Sequence, residues 1–472
     1  MCYTWRRVER SDRDAMKKSI GLAAWLCVLA STTFVAVTLC WLAHPLFAAT
    51  ANAAEAPVAS PAADETATLK HGAELAAIGE CVVCHTAKHD APFAGGRPLD
   101  TPFGVIYSTN ITPDRQTGIG AWSLDDFTHA MRRGVSRDGH LLYPAFPYPH
   151  FTHMTDADIA AIYAYLMSRD AVPATAPADR LMFPLGFRPL IAVWNLFFLH
   201  PGVEPDGEPP APTPTSTQTA AHEAQLLRGR YLIDGPAHCA ACHTPMNLLG
   251  AEKRDDAFGG NVIEGWQAPA LTTLLRAPEP WTHDQLAAYL RTGLADQHDA
   301  AAGPMRPVTQ SLANASGADV DAMATYLLSL QTSAAPASAD AASADAASQE
   351  AQAKTASADN AHVQNGAVLF SAACASCHAA HAPMTTFGDR PSLALSTAVN
   401  AQDPRNALRL ILDGIPDERS TRGPYMPAFA GTLTDAQIAD LAAFLRAHFS
   451  SQPAWTLDEA NVEKLRQETS EP

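Results

Sequence analysis

The feature that most constrains this chain is a five-residue cysteine motif that occurs three times with the same spacing. It reads CxxCH and lies at residues 81–85, 239–243 and 374–378. The other three of the nine cysteines lie within the first forty residues, so the body of the chain has no cysteine left for a conventional disulfide. An identical motif used three times predicts one kind of chemistry carried by three similar units.

The motif combines two thiols and one imidazole in a way that suits a covalently bound haem. Cysteines three residues apart at a helix start place both sulfurs on one side of a turn, where they can add to the two vinyl groups of haem. The adjacent histidine can then coordinate the iron. The predicted attachment residues are Cys81, Cys84, Cys239, Cys242, Cys374 and Cys377, and the predicted proximal ligands are His85, His243 and His378. We therefore predict three covalently bound haem c groups.

Two other interpretations of CxxCH fit this sequence less well. A structural zinc ion takes four ligands, usually from a second CxxC or His pair, and no such pair accompanies the three motifs. A redox-active CxxC belongs to a βαβ pattern, which the sequence around the motifs does not show. Covalent haem remains the favoured prediction.

Two stretches of biased composition divide the chain into units. Residues 202–223 are rich in proline and predict an extended, semi-rigid linker. Residues 332–360 are mostly Ala, Ser and Asp and cannot form a packed core. The predicted domains are 67–201, 224–331 and 361–452, each with one CxxCH near its start, followed by a polar tail at 453–472.

The three units repeat the same helix signals. Each has a glycine in an opening helix before its motif, a middle helix ended by glycine, and a closing amphipathic helix with a capping residue. These positions are Gly72, Gly229 and Gly366 in the opening helices, Gly134, Gly293 and Gly414 at the middle helix ends, and Thr155, Ser316 and Thr434 at the closing caps. We predict an all-α fold in which one small domain is used three times, and we expect the opening glycine to allow close approach of an aromatic residue on the closing helix.

The first 53 residues predict a membrane-related segment. Residues 1–18 are basic, and residues 19–49 contain no Asp, Glu, Lys or Arg. A bilayer span needs about 20 apolar residues, so an uncleaved anchor is possible, and a cleaved secretory signal is the alternative. Both interpretations place the body of the chain outside the cytoplasm.

The overall charge argues against one class of partner. Lys and Arg total 32 against 49 Asp and Glu, which gives a formal net charge of −17. A nucleic-acid-binding protein needs a clustered basic surface, and this sequence supplies none. No nucleic-acid partner is expected.

Methionines in two units are candidates for the sixth iron ligand. Met305 follows Gly303-Pro304 ahead of the closing cap Ser316, and Met426 precedes Pro427 ahead of the closing cap Thr434. His/Met coordination raises the reduction potential and saturates the iron, which suits electron transfer. We predict Met305 and Met426 as distal ligands.

The first unit breaks this pattern, because the equivalent stretch, residues 144–147, contains no methionine. The nearby candidates are His150, His153 and Met154, and His150 is the favoured distal ligand, since it lies within the loop. Met154, next to the cap Thr155, is the alternative, and an open or weakly ligated iron is the third possibility.

Several stretches of this sequence resemble one family, the three-haem cytochrome c subunits of bacterial membrane-bound dehydrogenases. The stretches are 93–96, 101–104, 108–114, 118–122, 142–145, 192–195, 265–269, 303–305 and 426–429. The resemblance covers about residues 67–452 apart from the linkers, and it implies three tandem cytochrome c domains. The run 146–152, with Phe146 in place of methionine, is most similar to the cytochromes that partner molybdenum hydroxylases.

The resemblance implies a relay between a dehydrogenase and the respiratory chain. It implies a catalytic partner of molybdenum, flavin or quinone-cofactor type, a place at the periplasmic face of the cytoplasmic membrane, and delivery of electrons to ubiquinone or a terminal oxidase. No substrate-oxidising motif is apparent in this chain. The alternatives are a peroxidase-like enzyme that uses an open iron in domain 1, and a free-standing periplasmic carrier.

Overall fold

The computed structural model describes residues 61–88, 90–202, 217–331, 361–379, 382, 392–416 and 425–470. The predicted anchor or signal at 1–53, most of the Pro-rich linker and the whole Ala/Ser-rich linker lie outside these ranges. Among the residues described, no helix combines the length and the apolar character needed to cross a membrane.

Domain 1 combines helices with a small sheet. Its helices are α1 (Pro61–Ile78), α2 (Cys81–Cys84), α3 (Leu124–Arg133), α4 (Tyr148–Phe151), α5 (Asp156–Met167) and α6 (Leu190–Phe198). The strands β1 (Pro98–Thr101), β2 (Gly104–Tyr107) and β3 (Arg180–Leu181) pair antiparallel in the order β1-β2-β3. Gly104 permits the β2–β3 contact, because a Cβ there would lie 2.2 Å from the carbonyl oxygen of Arg180.

Domain 2 follows the same plan. Its helices are α7 (Thr217–Asp234), α8 (Ala240–His243), α9 (His283–Thr292), α10 (Met305–Leu312) and α11 (Gly317–Ser329), and its strands are β4 (Asn261–Ile263) and β5 (Trp266–Ala268). Short 3-10 turns occupy Arg254–Asp256 and Leu271–Arg276. Helix α7 begins at Thr217, ahead of the predicted boundary at 224, because the last proline of the linker is Pro214.

Domain 3 is formed by the helices α12 (Ala361–Ala373), α13 (Ala375–His378), α14 (Thr397–Asn400), α15 (Arg405–Asp413), α16 (Asp435–Phe449) and α17 (Glu459–Ser470). The protein is therefore rich in helix, as the sequence predicts. The prediction of an all-α fold did not include the short strands β1–β5 of domains 1 and 2.

A crossing of the opening and closing helices defines each domain. The opening glycines lie against the closing helix so closely that a Cβ atom would clash with a backbone oxygen. The distances from that Cβ are 2.0 Å to Ala161 O for Gly72, 2.0 Å to Ala322 O for Gly229 and 2.1 Å to Asp440 O for Gly366. Beside each glycine stands an aromatic residue of the closing helix, namely Tyr165, Tyr326 or Phe444. The predicted close approach is confirmed in all three domains.

The predicted helix ends are also confirmed. The side chains of Thr155, Ser316 and Thr434 each accept a hydrogen bond from the backbone N–H three residues later, so all three closing helices are capped. The middle helices α3, α9 and α15 end at glycines with positive φ, namely Gly134, Gly293 and Gly414. These local signals set where the helices turn into the loops that approach the motifs.

The predicted polar tail is part of the core of domain 3. Helix α17 buries Val462 completely and Leu465 to 6% exposure within the cluster that contains Leu441. Arg466 on the same helix pairs with Asp435 at 2.7 Å. The two apolar residues stand three apart in an otherwise charged stretch, which is why composition alone marks the segment as polar.

Helix α6 joins domain 1 to domain 2 through its inner face. The hydroxyl of Tyr148 donates to Asn195 Oδ1 at 2.5 Å, and the indole N–H of Trp194 donates to Leu249 O in domain 2 at 3.0 Å. The outer face remains apolar and exposed, with Leu196 at 79% exposure.

Candidate functional site

Each CxxCH motif forms a single turn of helix. In domain 1 the chain enters this turn through Glu80 in the left-handed conformation, at φ 54°. The backbone N–H of His85 donates to Cys81 O at 2.9 Å, which places Cys81 and Cys84 on the same side of the turn. The same bond recurs from His243 to Cys239 at 3.0 Å and from His378 to Cys374 at 2.9 Å. The three motifs therefore present their thiols in the same way.

No disulfide joins any of the six motif cysteines, and all six are half-buried. Burial raises the pKa of the thiols to about 12 for Cys81 and Cys242 and to about 11 for Cys84 and Cys374, and it also raises the pKa of Cys239. Before any group is attached, these five thiols are protonated at neutral pH.

The proximal histidines of domains 1 and 2 are oriented by backbone carbonyl groups. Nδ1 of His85 donates to Thr109 O at 2.6 Å, and Nδ1 of His243 donates to Pro269 O at 2.8 Å. Burial lowers the pKa of both imidazoles and keeps them neutral. Because Nδ1 carries the proton, the lone pair stands on Nε2, which is the arrangement of a histidine that ligates a metal.

The carbonyl groups of Thr109 and Pro269 were not singled out as functional by the sequence. Both residues lie in stretches that carry the family resemblance, 108–114 and 265–269, and this is the signal that could have identified them. Their contribution comes from the main chain, so side-chain chemistry could not reveal it. In domain 3, residues 383–391 lie outside the described ranges. The backbone turn that carries His378 matches the turns that carry His85 and His243.

Each domain brings a distal candidate and its first motif cysteine to one apolar cluster. Met305 and Cys239 are half-buried against the core of domain 2, and Met426 and Cys374 pack against the core of domain 3. The backbone of Met426 is held by two hydrogen bonds to Ile415, at 2.8 and 3.0 Å. The assignment of both methionines as iron ligands stays a prediction, and their placement is compatible with it.

His150 lies at the boundary between domains 1 and 2. Its Nε2 donates to Glu252 Oε1 at 2.6 Å, and its Nδ1 donates to Asp234 O at 3.1 Å. Burial alone would lower the pKa of His150, but the hydrogen bond and charge of Glu252 outweigh it and the pKa is raised. In this arrangement both nitrogens of His150 are engaged by residues of domain 2. The assignment of His150 as the distal ligand of haem 1 stays a prediction.

Met154, the alternative ligand, is completely buried in the core cluster of domain 1, against which Cys81 also packs. A Cβ atom placed on Gly235 of domain 2 would lie 3.8 Å from Met154 Cγ. The assignment of Met154 as an iron ligand stays a prediction.

The motifs of domains 1 and 2 are neighbours, which the sequence did not indicate. His238, just before Cys239, lies with its Nε2 3.4 Å from Gly79 O, just before Cys81. Glu80 is enclosed in this contact, and burial raises its pKa to about 8 while the charge of Arg97 acts in the opposite direction. Electrostatic interaction with Glu80 and Cys84 in turn contributes to the raised pKa of the Cys242 thiol.

The residues present fit a haem c group. A pair of protonated thiols, a neutral histidine with a free Nε2 lone pair and an apolar cluster behind them match the covalent and axial bonds of such a group. Within the described parts of the chain, no three His, Cys, Asp or Glu side chains converge to hold a metal ion by themselves. The two thiols and the histidine of each motif therefore suit an iron that is already held by a porphyrin.

Comparisons with known proteins agree with this geometry. The family model described as cytochrome c matches three segments, residues 69–170, 227–331 and 363–448. Together these segments make up more than half of the chain, and each contains one CxxCH motif.

Similar proteins are subunits of dehydrogenases. One subunit of the nicotinate dehydrogenase of Pseudomonas putida is 43% identical over 409 residues, which cover 85% of this chain and 32% of that relative. The gluconate 2-dehydrogenase cytochrome c subunit of Pantoea cypripedii is 37% identical, over 85% of this chain and 90% of the relative. The fructose dehydrogenase cytochrome subunit of Gluconobacter japonicus is 34% identical, over 89% and 87%. The chain thus spans about a third of the first relative and nearly the whole of the other two.

Proposed function

Because the chain belongs to the cytochrome c family and carries three covalently bound haem c groups, we propose that it is the electron-transfer subunit of a dehydrogenase complex. Haem c supplies reversible one-electron oxidation and reduction of its iron. The groups of domains 1, 2 and 3 are named haem 1, haem 2 and haem 3. The polypeptide holds them in place and sets the order in which they are neighbours.

The observation that carries this proposal is the contact between the motifs of domains 1 and 2. A Cβ atom at Gly79 would lie 3.3 Å from Pro236 O, so the turns that lead into Cys81 and Cys239 touch. The influence of Glu80 on the pKa of Cys242 follows from the same proximity. The turns that would hold haem 1 and haem 2 are therefore neighbours, and the two groups bound there could exchange electrons.

Domain 2 meets domain 3 next to Met305, at the start of helix α10 (Met305–Leu312), which also contacts helices α1 and α2 of domain 1. Arg306, which follows Met305, donates from Nη2 to Pro416 O at 2.8 Å. Pro416 follows Ile415, the residue that pairs with the backbone of Met426. The loops that carry the two distal methionines are thus in contact.

Further polar contacts fasten domains 2 and 3 together. Gln267 and Asn406 exchange two hydrogen bonds of 2.8 Å, and the carbonyl of Gly265 accepts from Arg405 at 3.1 Å and from Arg409 at 3.2 Å. Domain 2 thus contacts both domain 1 and domain 3. On this arrangement the residues of domain 2 would hold the middle group of a series, which would let electrons enter at one terminal domain and leave at the other.

The partner follows from the relatives. Their names describe a subunit of nicotinate dehydrogenase and the cytochrome subunits of gluconate and fructose dehydrogenases. We infer a catalytic partner of molybdenum, flavin or quinone-cofactor type that oxidises a small organic substrate, with ubiquinone or a terminal oxidase as acceptor. The basic segment 1–18 and the uncharged segment 19–49 support a place at the periplasmic face of the cytoplasmic membrane.

The first test identifies the partner and checks electron flow together. The full chain is isolated from gently solubilised membranes, co-purifying proteins are identified by mass spectrometry, and the substrate of the enzyme found is added. We expect a stoichiometric dehydrogenase and reduction of all three haems. A chain recovered alone, or haems that stay oxidised with the enzyme and its substrate, would overturn the proposal. Turnover with hydrogen peroxide instead would favour the peroxidase-like alternative.

The series order has its own test. Met305→His keeps a ligand at haem 2 and lowers its reduction potential, because imidazole replaces thioether. In stopped-flow reduction by the partner, we expect one haem to reduce at the original rate and the terminal haem beyond haem 2 to slow. Met323→Leu, in the core of domain 2, is the matched control. Equal slowing in both variants, or none in Met305→His, would contradict the order.

A further inference from the structure

The loop after the middle helix follows the same path in domains 1 and 2. In domain 1 the N–H of Leu142 donates to the carbonyl of the capping Gly134 at 2.7 Å. In domain 2 the N–H of Ala301 donates to the capping Gly293, also at 2.7 Å. The residue pairs beside these bonds, 135 with 141 and 294 with 300, form the same antiparallel bridge. The two loops can therefore be compared residue by residue.

This comparison places Phe146 where domain 2 has Met305. Phe146 lies four residues after Leu142, and Met305 lies four residues after Ala301. Each is half-buried against its domain core, in the cluster that also contacts the first motif cysteine. Phe146 and Met426 of domain 3 are each followed by proline. The position that offers a thioether in domain 2 offers a phenyl ring in domain 1.

The phenyl ring is fixed in this place. Its centroid lies 5.4 Å from the ring of Phe151 and 6.3 Å from that of Tyr148, both of which are buried. A phenyl group has no lone pair and cannot bind iron. Aromatic packing of this kind also resists displacement of the loop by a neighbouring ligand.

Two other candidates of this loop, His150 and Met154, are tied into the packing. Both nitrogens of His150 donate to acceptors of domain 2, and freeing one would break a half-buried ion pair with Glu252. Met154 is completely buried in the core cluster of domain 1, and a Cβ atom placed on Gly235 of domain 2 would lie 3.8 Å from its Cγ. For His150 to reach an iron, its contacts with domain 2 would have to break.

Two further methionines of domain 1 occupy ordinary core positions. Met131 lies three residues before the capping glycine of the middle helix, where domain 2 has Leu290. Met167 lies twelve residues after the closing cap, where domain 2 has Leu328. Aliphatic residues fill both positions in domain 2, so these methionines serve packing.

We propose that haem 1 has an open sixth position, at the place where Phe146 replaces methionine, and that it binds small uncharged ligands such as carbon monoxide or nitric oxide. This site goes beyond the electron relay and depends only on the covalent haem of domain 1. The neighbouring domains each offer a predicted methionine ligand, and domain 1 offers none at the corresponding place. Binding there would report on the oxidation state of haem 1, since carbon monoxide binds ferrous and not ferric haem.

The test titrates carbon monoxide into the full-length, dithionite-reduced protein and counts the ligand bound from the optical difference spectrum. We expect one carbon monoxide per chain in the wild type, none in Phe146→Met and two in Met305→Phe. In the ferric state, electron paramagnetic resonance should show one high-spin haem in the wild type, none in Phe146→Met and two in Met305→Phe. Haem content of each variant is measured by the pyridine haemochrome assay, so that a lost haem is not mistaken for a closed one.

Two variants separate the open position from hidden ligation. His150→Ala and Met154→Leu should leave carbon monoxide binding and the high-spin signal unchanged. A wild type that binds no carbon monoxide, with binding gained in either variant, would overturn the proposal and identify the ligand. Failure of the relay would show instead as haems that the dehydrogenase does not reduce, whatever the carbon monoxide result.

Discussion

Replacing Gly229 by alanine tests whether the crossing of α7 and α11 determines the stability of domain 2. A Cβ at this position would lie 2.0 Å from Ala322 O and 2.8 Å from Tyr326 Cβ, whereas real Cβ atoms essentially never approach another heavy atom closer than 3.0 Å. The two helices must therefore separate by at least 1.0 Å, the difference between 3.0 and 2.0 Å. A gap of that size forfeits roughly a quarter to a half of the dispersion energy between facing atoms.

The residues around this crossing are fully buried, among them Leu232, Val320 and Met323. We expect the substitution to lower the free energy of unfolding of domain 2 by about 3 kcal/mol, within the range for overpacked cores. Since 1 kcal/mol corresponds to about 4 °C for a domain of this size, the melting temperature should fall by about 12 °C. The measurement is differential scanning calorimetry of the haem-loaded chain.

Gly186→Ala is the matched control, because nothing lies within 4 Å of a Cβ at that position. Alanine is intrinsically the better helix former by about 1 kcal/mol, so without a clash Gly229→Ala would stabilise the protein. A melting temperature equal to or above that of the control would refute the reasoning. It would mean that the helices do not meet at this glycine.

Two further substitutions test the domain boundaries, and one truncation tests the packing of α17. Glu252→Gln should flatten the pH dependence of the unfolding free energy near neutrality. The pKa of His150 is raised above its ordinary 6.5 in the folded protein. The stability that the His150–Glu252 pair contributes is therefore complete below pH 6.5 and is lost as the pH rises through the raised pKa. Thermal melts across this range check it, and an unchanged profile would contradict it. A chain ending at Leu457 loses the buried side chains Val462 and Leu465 and should lower the stability of domain 3 by about 4 kcal/mol in urea titrations; no loss would mean that α17 does not pack there. Arg409→Ala removes a guanidinium 3.2 Å from Gly265 O and should make the junction of domains 2 and 3 more susceptible to limited proteolysis. Equal cleavage of the variant and the wild type would mean that this contact does not hold the two domains together.

The parts of this protein that the sequence predicted well depend on short stretches of chain. The CxxCH turns, the capped closing helices and the glycine-ended middle helices all involve bonds between residues no more than five apart. Such signals act locally, so they hold in any tertiary arrangement. Their threefold repetition made the count of domains and of haem groups readable without a structure.

The prediction for the distal side of haem 1 depended on contacts that no local pattern contains. His150 meets Glu252, 102 positions further along the chain, and this partner decides that both of its nitrogens act as donors. A histidine in a loop has the same appearance in sequence whether it faces an iron or a carboxylate. The register of the loop against domain 2 was needed to show that Phe146 is the counterpart of Met305.

The sequence by itself determined the chemistry of attachment, the helical framework and the number of haem groups, because each is encoded within one or two helical turns. The tertiary structure alone decided which domains touch, that the tail helix completes domain 3, and that the carbonyls of Thr109 and Pro269 orient the proximal histidines. Those features depend on the packing of surfaces far apart in the chain. The free energy of such packing is shared among many weak contacts, and no single motif records it.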